Sequence, residues 1–122
     1  MLSKPTIHLI WAAKYRRKVL LGSVEVRLLE VLKTIASQSG FQLLTARGHD
    51  GDHLHVFVSA SPKVCIPEIV RVLKCNSSRM LFDEFPQIKL WLWGGHLWSD
   101  GYAVGTAGSV PSWKIEEYIN RV

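Results

Sequence analysis

Residues 49–60 read HDGDHLHVFVSA, with two imidazoles, His53 and His55, on either side of Leu54. In an extended strand, residues i and i+2 face the same side. His53, His55 and Phe57 therefore share one face. Leu54, Val56, Val58 and Ala60 take the other, which is apolar throughout and reads as the core side. Two neutral imidazoles side by side can hold one divalent cation, whereas two protonated ones would repel. The alternative is a pair of surface histidines on a half-exposed strand, because a His-x-His match is common by chance. His8, His49 and His96 could also complete a site, but an ordinary surface or core role is the preferred reading for each of the three. Asp50 and Asp52 are close in sequence, but neighbours on a strand or tight turn are expected to point in other directions.

Tyr118, in EEYINRV, is a second candidate. A phenol oxygen can act as a nucleophile. Ile115 and Val122 place Tyr118 at the border of a helical apolar stripe, so the spacing also suits a core-edge aromatic. Tyr15 and Tyr102 carry the same two readings. Position alone does not choose among the three.

The elements that must hold these groups follow from periodicity. Residues 6–13 are rich in β-formers and read as a first strand. KYRRK follows, with Lys14, Arg16, Arg17 and Lys18 around Tyr15. Val24, Leu28, Leu32, Ile35 and Ala36 recur at helical spacing between Ser23 and Ser39, and Gly40 is placed to end that helix. FQLLTAR and HLHVFVSA read as a second and a third strand joined by a turn-rich link, hence an antiparallel pair. A second helix is expected near Ile66 to Phe82, with Pro67 in its first turn. Ile66, Ile69, Val70, Leu73, Ser77, Met80 and Leu81 form its inner stripe, while Arg71, Lys74 and Arg79 point elsewhere. The aromatic, glycine-rich segment from Gln87 to Gly108 is expected to hold a short element, a turn and a fourth strand around Tyr102 to Thr106. Residues 111–122 read as a last helix. The order β-α-β-β-α-β plus a helix is α+β and ferredoxin-like, a two-layer sandwich with one antiparallel sheet.

The 122 residues are read as one domain, 1–122, and a chain of this length buries about two-thirds of its unfolded surface without staples. Fifteen Lys plus Arg against ten acidic residues give a charge of +5, which favours a polyanionic partner such as nucleic acid. The N-terminal segment lacks the pattern of a secretory signal, and no segment approaches a membrane span. Cys65 and Cys75 on one helix would lie roughly 15 Å apart, too far for a disulfide. The expected setting is reducing and cytoplasmic.

Five blocks appear in order: HLIWAAKYRRKVL, DGDHLHVFVSA, PEIVRVLKCNSSRMLFDEFP, LWLWGGHLWSDGYAVGTAG and EEYINRV. Together they resemble the small HUH-type single-tyrosine transposases of insertion sequences, over nearly the whole chain. The resemblance implies a ferredoxin-like fold, in agreement with the element order. It implies that His53 and His55 hold Mg²⁺ or Mn²⁺ at a scissile phosphate, and that Tyr118 attacks to give a 5′-phosphotyrosine and a free 3′-OH. The covalent link keeps the bond energy, so a second strand can reverse the step without an external energy source.

The resemblance further implies a homodimer with sites shared between subunits, and a single-stranded DNA partner with hairpin ends. Lys14, Arg16, Arg17, Lys18, Arg71, Lys74 and Arg79 are the candidate phosphate contacts, with Tyr15, Trp91, Trp93 or Trp98 as candidate stacking platforms. Core or interface roles are the alternative for the tryptophans. One position departs from the family pattern. The glutamine usual four residues after the tyrosine, a third metal ligand, is Val122 here. Three consequences are open: a decayed or domesticated hairpin-binding protein, substitution by Asn120 or the terminal carboxylate, or a shell filled by water and DNA oxygens.

Overall fold

The computed structural model describes residues 6–92 and 95–106. Within them the elements run β1 (Thr6–Ala12), a 3-10 turn (Lys14–Arg16), α1 (Gly22–Gln38), β2 (Gln42–His49), β3 (His53–Ser59), α2 (Ile66–Glu84), α3 (Pro86–Leu90) and β4 (Ala103–Thr106). The predicted helix over 111–122 lies outside the described residues. The strands form one antiparallel sheet in the order β2-β3-β1-β4. This is the α+β, two-layer arrangement that the element order predicts.

Both long helices form for the reason their spacing suggests. Val24, Leu28, Val31, Leu32, Ile35 and Ala36 make the buried stripe of α1. Gly40, at φ +83°, takes the left-handed conformation that closes the helix, and the Phe41 N–H reaches back to the Ala36 carbonyl at 3.4 Å. On α2 the buried residues are Ile69, Val70, Leu73, Ser77 and Leu81. These stripes pack onto Ile7, Leu9 and Trp11 of β1, Leu43 and Ala46 of β2, and Leu54, Val56 and Val58 of β3. Arg27 of α1 grips Glu84 of α2 with two guanidinium nitrogens across the exposed rim.

Strand β1 lies inside the sheet, with Leu9 opposite Val56 on one side and Val104 on the other. Its far end is bracketed by residues 97–99: Lys14 N–H donates to the Leu97 carbonyl and Ser99 N–H to the Ala12 carbonyl. Strand β2 contains a bulge. Leu43 faces Val58 and Thr45 faces Phe57, so one extra residue, Leu44, is accommodated between them. After the bulge Ala46 turns to the buried side, and Arg47 and His49 stand opposite His55 and His53.

Candidate functional site

Strand alternation places His53, His55 and Phe57 of β3 on the face away from the two long helices, with His8, Ile10 and Ala12 of β1 opposite Phe57, His55 and His53. His53 is fully buried and His55 half-buried. The Nδ1 of His53 lies 2.6 Å from Asp52 Oδ1, and both side chains are buried. A carboxylate at neutral pH only accepts, so His53 carries its proton on Nδ1. In the neutral ring the lone pair is then on Nε2, which is buried and has no hydrogen-bond partner among the described residues.

The contact to Asp52 corrects the expectation that this side chain points away. The link is not a flat continuation of the strands: Asp50 and Gly51 both take positive φ, at 54° and 75°. That curl turns Asp52 back onto the ring that follows it. The Asp52 and Gly51 carbonyls accept from the N–H groups of Ala13 and Leu20, which ties the turn to the segment after β1.

His55 has different neighbours. Its Nδ1 lies 3.1 Å from His8 Nε2. The His8 ring is buried and stacked on Phe57, with centroids 4.2 Å apart and planes 14° from parallel. His49 presents an edge to His55 at 5.7 Å. Burial above all, and then the charges of His8, His49, Arg47 and His53, push the His55 imidazole down to about 4. Burial also lowers the pKa of His8. His55 is therefore neutral at pH 7, the form that can donate a lone pair to a metal. Among the described residues no group of three or more His, Cys, Asp or Glu side chains forms a metal-holding cluster.

The basic residues divide between two places. Lys14, Arg16, Arg17 and Lys18 follow β1 directly, on a turn in which Tyr15 and Arg16 take left-handed φ of 58° and 52°. Arg16 Nε lies 3.6 Å and Lys18 Nζ 4.0 Å from Asp52 Oδ2, so this turn borders the histidine pair. Lys18 also donates to the Asp50 carbonyl. Arg71, Lys74 and Arg79 lie on α2, behind the sheet, and are not brought to the histidine face. Arg71 is paired with Glu68, and Arg79 donates to Asn76.

Lys74 departs most from a solvent-exposed phosphate contact. It is half-buried over the Trp11 ring and donates to the Ser99 and Gly101 carbonyls. Burial lowers its pKa.

Trp98 is buried, edge-on to Trp11, and donates to Ser77. Trp91 and Tyr15 are exposed. His96 is exposed and lines a separate cavity beside Lys74 and Trp98. Tyr118, Asn120, Val122 and Trp93 lie outside the described residues. Sequence reasoning set aside three side chains that meet the histidine pair, Asp52, His8 and His49. The parity of His8 on its strand was a usable signal, but only once the β1–β3 register was known.

The model of the family described as Transposase IS200 like matches residues 1–122. The chain belongs to this family. This transposase is 41% identical over 112 residues to the ISDra2 transposase TnpA of Deinococcus radiodurans, spanning 92% of this chain and 79% of that one. It is 30% identical to the transposase for insertion sequence element IS200 of Salmonella typhimurium, over 92% of this chain and 72% of that one. A crystal structure of a protein from Deinococcus radiodurans R1 superposes with a TM-score of 0.90 at 37% identity, covering 99% and 92% of the two chains. A tyrosine transposase bound to a REP hairpin shares the fold, with a TM-score of 0.59 at 14% identity over 98% and 67%.

Proposed function

We propose that this transposase is a metal-dependent single-strand DNA endonuclease and strand transferase. The observation that carries the reading is the state of His53. Its Nδ1 is held by Asp52, and its Nε2 is buried without a partner among the described residues. A buried polar atom left unpaired carries a free-energy cost unless something binds it. A carboxylate–imidazole pair with a bare Nε2 is the usual dress of a metal-ligating histidine. His55, neutral and on the same face, is the second ligand. The residues present therefore fit a divalent cation such as Mg²⁺ or Mn²⁺. Such an ion, when bound, supplies charge neutralisation at phosphoryl oxygens and helps align the phosphate.

Tyr118 is the nucleophile in this reading. Its oxygen forms a bond to phosphorus while the bond from phosphorus to the 3′-oxygen breaks. The phenol loses its proton, the departing 3′-oxygen gains one, and the strand remains attached as a 5′-phosphotyrosine. The phenol has an ordinary pKa of about 10, so it needs assistance at neutral pH. Lys14, Arg16, Arg17 and Lys18 track the DNA backbone beside the pair. The partner is single-stranded DNA with hairpin ends, a class of ligand that the REP-bound relative illustrates. A homodimer with shared sites completes the reading.

The test is incubation of labelled single-stranded DNA, carrying the element's own hairpin ends, with the protein and Mg²⁺. A covalent adduct is expected, lost in Tyr118→Phe with binding retained. An adduct that persists in that variant refutes the nucleophile. Tight binding with no adduct in the parent supports the other reading, a decayed or domesticated hairpin-binding protein. In that case Val122 becomes the first position to restore to glutamine.

A further inference from the structure

His53 and His55 are held in unequal ways. For His53 the tautomer is dictated, because Asp52 can only accept. For His55 it is not. Its Nδ1 meets another imidazole nitrogen, His8 Nε2, at 3.1 Å, and either ring can be the donor. If His8 donates, the single proton of neutral His55 sits on Nε2, and that nitrogen has no lone pair to offer. If His8 accepts, His55 carries its proton on Nδ1 and presents Nε2 in the same state as His53.

We propose that His8 is a positioning residue, which accepts from His55 Nδ1–H and so fixes His55 as a Nε2 donor. This rests on the metal-dependent reading above and names a member of the site outside the histidine pair. The geometry supports a built role. His8 is buried, and its ring is clamped face-on against Phe57, its cross-strand partner. On the other side the residue opposite it on β4 is Gly105, which places no side chain against the ring. His55 is its diagonal neighbour on the same sheet face, within reach for a cross-strand contact. The ring plane is thus set by stacking, and the Nε2 edge is aimed at His55. An imidazole kept only for packing would not need its nitrogen at that edge.

The experiment is long-range ¹H–¹⁵N NMR on the metal-free protein at neutral pH, which reads the tautomer of each histidine. Mn²⁺ titrations of the same samples accompany it. In the parent, His55 is expected as the Nδ1–H form. H8F can still stack on Phe57 but offers no acceptor. It should shift His55 toward the Nε2–H form and weaken Mn²⁺ binding by about tenfold or more. H8Q, which carries a carbonyl oxygen, should restore the Nδ1–H form. An Nε2–H form of His55 in the parent overturns the proposal, and that measurement needs no variant. An Nδ1–H form that persists in folded H8F overturns it as well, whatever the Mn²⁺ affinity. A parent that binds no Mn²⁺ refutes the metal-dependent reading instead, and the tautomer result still decides the role of His8.

Discussion

Replacing Asp52 by asparagine removes one charge and keeps the shape of a buried side chain. The carboxylate has two sets of partners: Oδ1 holds His53 Nδ1 at 2.6 Å, and Oδ2 lies 3.6 Å from Arg16 and 4.0 Å from Lys18. The two cations are substantially exposed, at 42% and 65% of their side-chain surface, so each pair contributes about 0–1 kcal/mol. The bond to His53 is buried and charge-assisted, a class that contributes about 1.5–3 kcal/mol. Asparagine still offers a carbonyl oxygen, so D52N should lose about 1–2 kcal/mol of stability in metal-free urea titrations. The effect on metal binding should be larger in proportion. Loss of such an orienting partner weakens affinity about 10–100-fold, equivalent to about 1.4–2.8 kcal/mol. Mn²⁺ titration followed by calorimetry reads this directly. D52N that folds, keeps the parent's urea midpoint and binds Mn²⁺ within threefold of the parent would refute the reasoning, because Asp52 would then hold nothing that matters.

Further outcomes follow from other contacts. Because burial holds folded His55 at about 4 while the unfolded ring titrates near 6.5, only the unfolded chain takes up the proton between those values. Metal-free stability should therefore fall as the pH drops from about 6.5 to about 4, and H55Q should flatten thermal melts over that window; a parent curve already flat there contradicts the assignment. K74M removes two donated bonds to the Ser99 and Gly101 carbonyls and should lower stability by about 1–3 kcal/mol, readable as a lower melting temperature. G48A places a new carbon 2.3 Å from Glu25 Oε2, whose bond to the Gly48 N–H it would disturb. It should lower the urea midpoint, and adding E25A should recover the steric part of that loss. R17A should weaken single-stranded DNA binding and reduce the slope of log affinity against log salt by about one. An unchanged slope would remove Arg17 from the phosphate contacts.

Much of the architecture was legible because periodicity and burial agreed. The α1 stripe from Val24 to Ala36, its stop at Gly40, and the alternation of His53 to Ser59 each needed only local chemistry. The strand boundaries were legible to within a few residues for the same reason. What sequence reasoning missed at the site depends on long-range register. His8 and His55 are 47 residues apart, and nothing local says that β1 pairs with β3 so that they touch. Asp52 was misjudged for the opposite reason. It is adjacent to His53, but the positive φ values of Asp50 and Gly51 take it off regular alternation. Lys74 shows a third limit: a lysine on the partly wet flank of a helix reads as free, yet here it is engaged by the turn before β4.

The bulge in β2 bears on how such a site can change. Strict alternation onward from buried Leu43 would send Thr45, Arg47 and His49 to the helix side and Ala46 to the other. The single extra residue reverses that phase for everything after it. Which side chains flank the histidine pair from β2 is therefore governed by a count of residues, not by their identities. No point substitution can bring a neighbouring residue of β2 to that face. Deleting Leu44 would remove the bulge and leave Thr45, Arg47 and His49 where they are, whereas deleting one residue beyond the bulge, at Ala46, would exchange the set that follows at once. Beyond the bulge, an insertion or deletion acts as a frame shift in space, exchanging buried and site-facing residues without altering a single downstream letter.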